Sequence, residues 1–167
     1  MARTLMVIRH AKSDWSKAAA DRQRPLASRG RRQAALVGRW LAERDEVPAH
    51  VILSSARRAQ ETWELIAAEL EAQGRDVSAI EVITDESVYA SSGDDLLDVV
   101  RGLPPGLERA AIVGHNPAME ECVQALTGAF VTMKTSALAV VEVAGWASLR
   151  PGEGRLRWAG RPAETYS

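Results

Sequence analysis

Residues 4–15, TLMVIRHAKSDW, start as a buried strand and then break off. Leu5, Met6, Val7 and Ile8 are apolar without interruption, and Arg9 and His10 follow at once. An uninterrupted run is the pattern of a strand covered on both faces of a sheet, whereas alternation would mark a strand covered on one face. The cation and the imidazole therefore stand at the boundary of a core. Residues 110–117, AAIVGHNP, repeat the construction: residues 110–113 lead straight into Gly114, His115, Asn116 and Pro117. Two of the three histidines in the chain thus follow apolar strands.

Further apolar runs fall at residues 51–53, 80–83 and 138–143. Amphipathic stretches lie between them. Residues 30–44 place Ala34, Val37 and Leu41 on one helical stripe, and residues 59–71 do the same with Ala59, Thr62, Trp63, Ile66 and Leu70. Gly74 sits just past the second stripe, where a helix stops easily. Shorter helices are expected over residues 94–101 and 117–126. Buried strands alternating with helices predict an α/β fold, a three-layer α/β/α sandwich around a mostly parallel sheet, with residues 1–167 as a single domain. Residues 138–143 and 155–158 flank the Gly/Pro-rich GWASLRPGEGR and are expected to form a hairpin at a sheet edge.

The totals restrict what such a domain does. Its 167 residues suffice for one proper core. Twenty-one basic and twenty-two acidic residues leave a net charge of −1, which favours neither nucleic acid nor a membrane surface as partner. A single cysteine, Cys122, forms no internal disulfide and fits a reducing compartment. No apolar run approaches the ~20 residues of a membrane span, and no signal-peptide pattern opens the sequence, so a cytoplasmic location is expected.

In open α/β sheets, ligands bind beyond the carboxyl ends of the strands. His10, residues 54–58 and His115 all fall there, so one crevice gathers three segments distant in sequence. Arg9 and Arg58, or its neighbour Arg57, carry guanidinium forks suited to phosphate oxygens. Asn116 is a good N-cap and Pro117 a good first helical residue, and a helix starting there aims its positive end at the crevice. Taken singly, each feature also reads as packing: a hydrogen-bonded histidine, a solvated arginine, a capped turn. Together they describe a phosphoryl pocket with an imidazole able to attack it.

VIRHAKSDW, SSARRAQET and VGHNP, in this order, resemble the histidine phosphatase superfamily, which includes the cofactor-dependent phosphoglycerate mutases. RPLASRGRRQA is similar to a further stretch of that family, with Ala27 where threonine is common. The resemblance spans residues 4–127 and is greatest to the SixA-type phosphohistidine phosphatases. It implies a phosphoglycerate mutase-like fold and a set of roles. His10 is the nucleophile, Arg9 and Arg58 bind the phosphoryl oxygens, His115 donates a hydrogen bond to them, and Ser16 contacts the phosphate. No metal or cofactor is implied.

Larger relatives carry a glutamate general acid after the third strand, a position that falls near Ala90 here. Asp85 and Glu86 lie close enough for either to be expected in its place. Without an acid, alkoxide leaving groups are hard to expel, whereas the imidazole of phosphohistidine is a much weaker base. The expected activity is metal-independent removal of the phosphoryl group from protein phosphohistidine, with a phosphotransfer or signalling protein as partner. The alternative is a phosphatase or mutase for small phosphate monoesters such as sugar phosphates. Arg22, Arg24, Arg29, Arg31 and Arg32 read as a solvated face, or as a docking surface for an acidic phosphoprotein. Trp15 is the tryptophan expected to line the pocket, and His50 is given no role.

Overall fold

The computed structural model describes residues 2–16 and 18–166. Six strands form one sheet among these residues: β1 (Arg3–Arg9), β2 (His50–Leu53), β3 (Glu81–Thr84), β4 (Arg109–Gly114), β5 (Leu138–Val143) and β6 (Arg155–Gly160). Their order is β3-β2-β4-β1-β5-β6. The first four strands of that order run parallel, while β5 is antiparallel to β1 and β6 antiparallel to β5. The expected edge hairpin is β5–β6, with a register shift at Val140/Val141.

The continuous apolar runs have their explanation in the two cores. Met6 and Ile8 of β1 join Val51, Leu53, Ala111, Val113, Leu138 and Val140 on one face of the sheet. Leu5 and Val7 join Ile52, Ala110, Ile112, Ala139 and Val141 on the other. Successive side chains of a strand point to opposite faces, so a strand buried on both must be apolar at every position. Helices α1 (Ser28–Glu43) and α2 (Arg57–Ala72) cover the first face, bringing Val37, Trp40, Leu41, Trp63, Ile66 and Leu70. Helices α3 (Gly93–Arg101) and α4 (Ala118–Thr127) cover the second with Leu96, Leu97, Val100, Met119, Val123 and Leu126. A short α5 (Pro162–Thr165) closes the described chain.

Three local expectations are corrected. Residues 80–83 read as a buried strand, yet β3 is an edge strand paired only with β2, and all four of its residues are exposed. Helix α1 begins at Ser28 and α2 at Arg57, each two residues before its expected start, because a helix starts where its backbone bonds start. Asn116 does not cap α4: Pro117 occupies the cap position after a cis Asn116–Pro117 bond, and the Asn116 amide is used elsewhere. Cys122 is buried in the α3–α4 core, as a packing residue should be. His50 is buried beside the edge strand, with Nδ1 3.6 Å from Glu81 Oε2.

Candidate active site

The sheet delivers His10 and His115 to one place because β1 and β4 are parallel neighbours. Arg9 is in register with Gly114, and the His10 amide donates to the Gly114 carbonyl at 3.0 Å. The two rings follow one residue later, their centroids 5.1 Å apart. They line a cavity of about 180 Å³ together with Arg9, Lys12, Ser13, Trp15, Arg24, Arg58, Asn116 and Thr135. All four principal residues expected from the sequence therefore share one cavity.

His10 is only 7% exposed. Its Nδ1 lies 2.8 Å from the Ala11 carbonyl oxygen. A carbonyl only accepts, so Nδ1 carries the proton and Nε2 keeps its lone pair. Burial, chiefly, pushes the imidazole pKa down to about 3, and the nearby His115, Arg58 and Arg9 add to the effect. At neutral pH the ring is uncharged and nucleophilic at Nε2.

The loop after His10 is gripped by two helices. Ala11 N–H donates to Thr62 Oγ1 of α2 at 3.0 Å, and that hydroxyl donates to the Arg58 carbonyl at 2.6 Å. Lys12 N–H donates to Gln33 Oε1 of α1 at 3.1 Å, while Ala27 N–H donates to the Lys12 carbonyl at 2.9 Å. Gly30 lies so close that a Cβ there would stand 2.0 Å from the Lys12 carbonyl oxygen.

Besides Arg24, two guanidinium groups line the cavity, those of Arg9 and Arg58. Arg9 Nη1 donates to the Met133 carbonyl at 3.0 Å, and the same carbonyl takes the Asn116 amide at 2.7 Å. Arg58, 7% exposed, donates from Nη1 to the Asp21 carbonyl at 2.7 Å and from Nη2 to Asp21 Oδ2 at 3.2 Å. The Nε atoms of both arginines are buried and have no hydrogen-bond partner. Buried N–H groups are nearly always paired, so two cavity-lining arginines that each keep a donor to spare suit an anion with several oxygens.

His115 stands between Arg58 and Ser54. Arg58 Nη2 lies 3.3 Å from His115 Nδ1, and Ser54 Oγ is 2.7 Å from His115 Nε2. Guanidinium only donates, so Nδ1 accepts and Nε2–H donates to Ser54. Burial first, and the Arg58 charge second, bring this pKa down to about 4. Tyr89 meets the other side of the ring edge-on, with centroids 5.8 Å apart.

Three sequence expectations are corrected at the site. Ser16 does not line the cavity: it is exposed, and its hydroxyl donates to Asp14 Oδ1 at 2.6 Å, while Ser13 occupies the pocket wall. Neither Asp85 nor Glu86 lines it either. Asp85 caps its own turn by accepting from Ser87 N–H at 2.9 Å, and Glu86 pairs with Arg22. The segment after β3 sends Tyr89 towards the histidines instead. Arg24, expected on a solvated face, is buried, with Nε donating to Ser13 Oγ at 3.1 Å and its guanidinium 3.6 Å from the Trp15 ring.

Ser54, Thr62, Gln33, Asp21 and Tyr89 also contribute, although no role at the site is expected of them from the sequence. Ser54, Thr62 and Gln33 lie inside motifs quoted above, so a signal existed for them. A larger groove of about 490 Å³ beneath β3 is lined by Glu81, Asp85 and Asp98 and, among the described residues, by no arginine or lysine, which suits it poorly to an anion. No group of three or more His, Cys, Asp or Glu side chains placed to hold a metal ion occurs among the described residues. Nor is any described helix long and apolar enough to cross a membrane.

Comparison with known proteins agrees with this geometry. The model of the histidine phosphatase superfamily (branch 1) matches residues 5–86. A Mycobacterium tuberculosis protein is 33% identical over 159 residues, covering 87% of this chain and 93% of its own. Among solved structures, one assigned as the phosphohistidine phosphatase SixA of Nakamurella multipartitia superposes with a TM-score of 0.79 at 27% identity, covering 97% of each chain. The protein histidine phosphatase SixA complexed with tungstate gives 0.78 at 20% identity, over 97% of this chain and 99% of that one, and shows the shared fold.

Proposed function

The chain belongs to the histidine phosphatase superfamily, SixA-type, and from that premise we propose that it removes the phosphoryl group from protein phosphohistidine through an intermediate on His10. The observation that carries this reading is the Ala11 carbonyl on His10 Nδ1, which leaves Nε2 free inside a cavity walled by Arg9 and Arg58. His10 Nε2 attacks phosphorus, forming one P–N bond as the substrate's P–N bond breaks. The leaving imidazole departs with its proton. Water then attacks the phosphohistidine on His10, inorganic phosphate leaves and the lone pair returns to Nε2. Arg9 and Arg58 offset charge on the equatorial oxygens. His115 joins them once the phosphoryl dianion raises its pKa and a proton on Nδ1 replaces the bond from Arg58.

Two features favour an N-phosphate on a protein over a sugar phosphate. Among the described residues no carboxylic acid lines the cavity, and a weakly basic imidazole needs none to leave. Trp15, 69% exposed on the rim and held by Arg24 stacking, offers a protein surface an aromatic anchor.

A substrate panel tests the proposal: a histidine-phosphorylated carrier protein, phosphoramidate, an aryl phosphate and sugar phosphates. The N-phosphates are expected to exceed the sugar phosphates at least roughly tenfold in kcat/KM. His10→Ala should fold and lose at least ~10³-fold in turnover. Equal turnover of alkyl phosphates and N-phosphates would contradict the substrate assignment.

A further inference from the structure

Arg58 presents a specific geometry that the reaction alone does not explain. A guanidinium has two bonding edges, an end-on pair (Nη1, Nη2) and a side-on pair (Nε, Nη2). One residue takes the whole end-on edge: the Asp21 carbonyl at 2.7 Å on Nη1 and the Asp21 carboxylate at 3.2 Å on Nη2. The side-on edge is the one that keeps a donor to spare: Nε is buried without a partner, and Nη2 lies 3.3 Å from Nδ1 of His115, a residue that shares the cavity wall with Arg58.

Asp21 is itself held. It lies in the short 3-10 turn Asp21–Gln23, takes Arg24 Nη1 on Oδ1 at 3.1 Å and accepts from the Tyr89 hydroxyl on Oδ2. The Tyr89 bond, first, and the two arginines keep its carboxyl ionised, with a pKa of about 2. Yet the Asp21 side chain is 50% exposed. Arg58 is buried and the Asp21 carboxylate half-exposed, so water can take the carboxylate's place and what is lost with it is the orientation of the fork.

We propose that Asp21 is a positioning residue for phosphoryl transfer: it clamps the outer edge of Arg58 so that the Nε/Nη2 edge faces the phosphoryl oxygens, with Tyr89 and Arg24 locking the clamp. This rests on the pocket being the phosphoryl site proposed above. Freed from the clamp, the Arg58 fork swings and the bidentate geometry is lost. Misplacement of that order costs roughly 10- to 100-fold in rate.

The test compares wild type with Asp21→Ala, Asp21→Asn, Arg58→Ala and the Asp21→Ala/Arg58→Ala double variant. kcat/KM with phosphoramidate, tungstate affinity by calorimetry and thermal melting are read for each. Asp21→Ala is expected to lose roughly 10- to 100-fold in kcat/KM with its melting temperature nearly unchanged. Asp21→Asn, which keeps an acceptor, should recover part of the loss. On the Arg58→Ala background, Asp21→Ala should change little, by less than about threefold, because its effect passes through Arg58. Activity of Asp21→Ala within about twofold of wild type, or losses that multiply in the double variant, would overturn the assignment. Should wild type fail to turn over phosphoramidate, the reaction proposed above falls, while tungstate still decides the role of Asp21. Weakening by at least roughly tenfold in Asp21→Ala supports it, and unchanged affinity overturns it.

Discussion

The carbonyl of Ala11 decides which nitrogen of His10 is free. At 2.8 Å it fixes the Nδ1–H tautomer, and burial keeps the ring neutral far below the usual histidine range. A nitrogen-15 NMR titration reads both statements directly. His10 is expected to stay in the Nδ1–H form from neutral pH down to about pH 5, since a lowered pKa keeps the neutral form until the pH approaches that value. Protonation of His10 at about pH 6.5 would contradict this, as would a proton on Nε2 of the neutral ring. The histidines and arginines were legible because each ends or follows a run whose burial the sequence announces. Asp21 and Tyr89 were not, because they meet across 68 positions of chain and neither belongs to a periodic pattern. Ser16 stands off the cavity wall for a local reason: Asp14, two residues back, captures its hydroxyl.

Helices α1 and α2 do more than cover the sheet. Gln33 and Thr62, one on each, hold the backbone just after His10. Gly30 allows α1 to approach: any side chain would drive a carbon into the Lys12 backbone, where no rotamer relieves it. Gly30→Ala is therefore expected to destabilise the fold by about 1–3 kcal/mol and to lower activity more than stability alone accounts for. Denaturant unfolding beside an assay at a temperature where the variant stays folded separates the two effects. A variant as stable and active as wild type would refute the close approach. The period of the strands was readable because burial on two faces demands apolar residues throughout. It misled at β3, where Val82 and Ile83 keep 44% and 40% exposure on an edge the sequence does not mark.

The molecule as a whole turns three remote segments into one cavity by strand order alone. Because β2, β4 and β1 are parallel neighbours, their carboxyl ends lie side by side and bring together Ser54 and Arg58, His115, and Arg9 and His10. That assembly was readable in outline, since runs ending in chemistry-bearing residues belong at the same sheet edge. The strand order itself, and the clamp reaching from residue 21, depend on contacts that no local pattern records. The most direct measurement is to quench the protein under alkaline conditions during turnover of phosphoramidate and map the phosphoryl group by mass spectrometry and phosphorus-31 NMR. Phosphate attached to Nε2 of His10 is the expected result. Turnover without any phosphoenzyme on His10, or phosphate on His115 in its place, would contradict the mechanism proposed for this site.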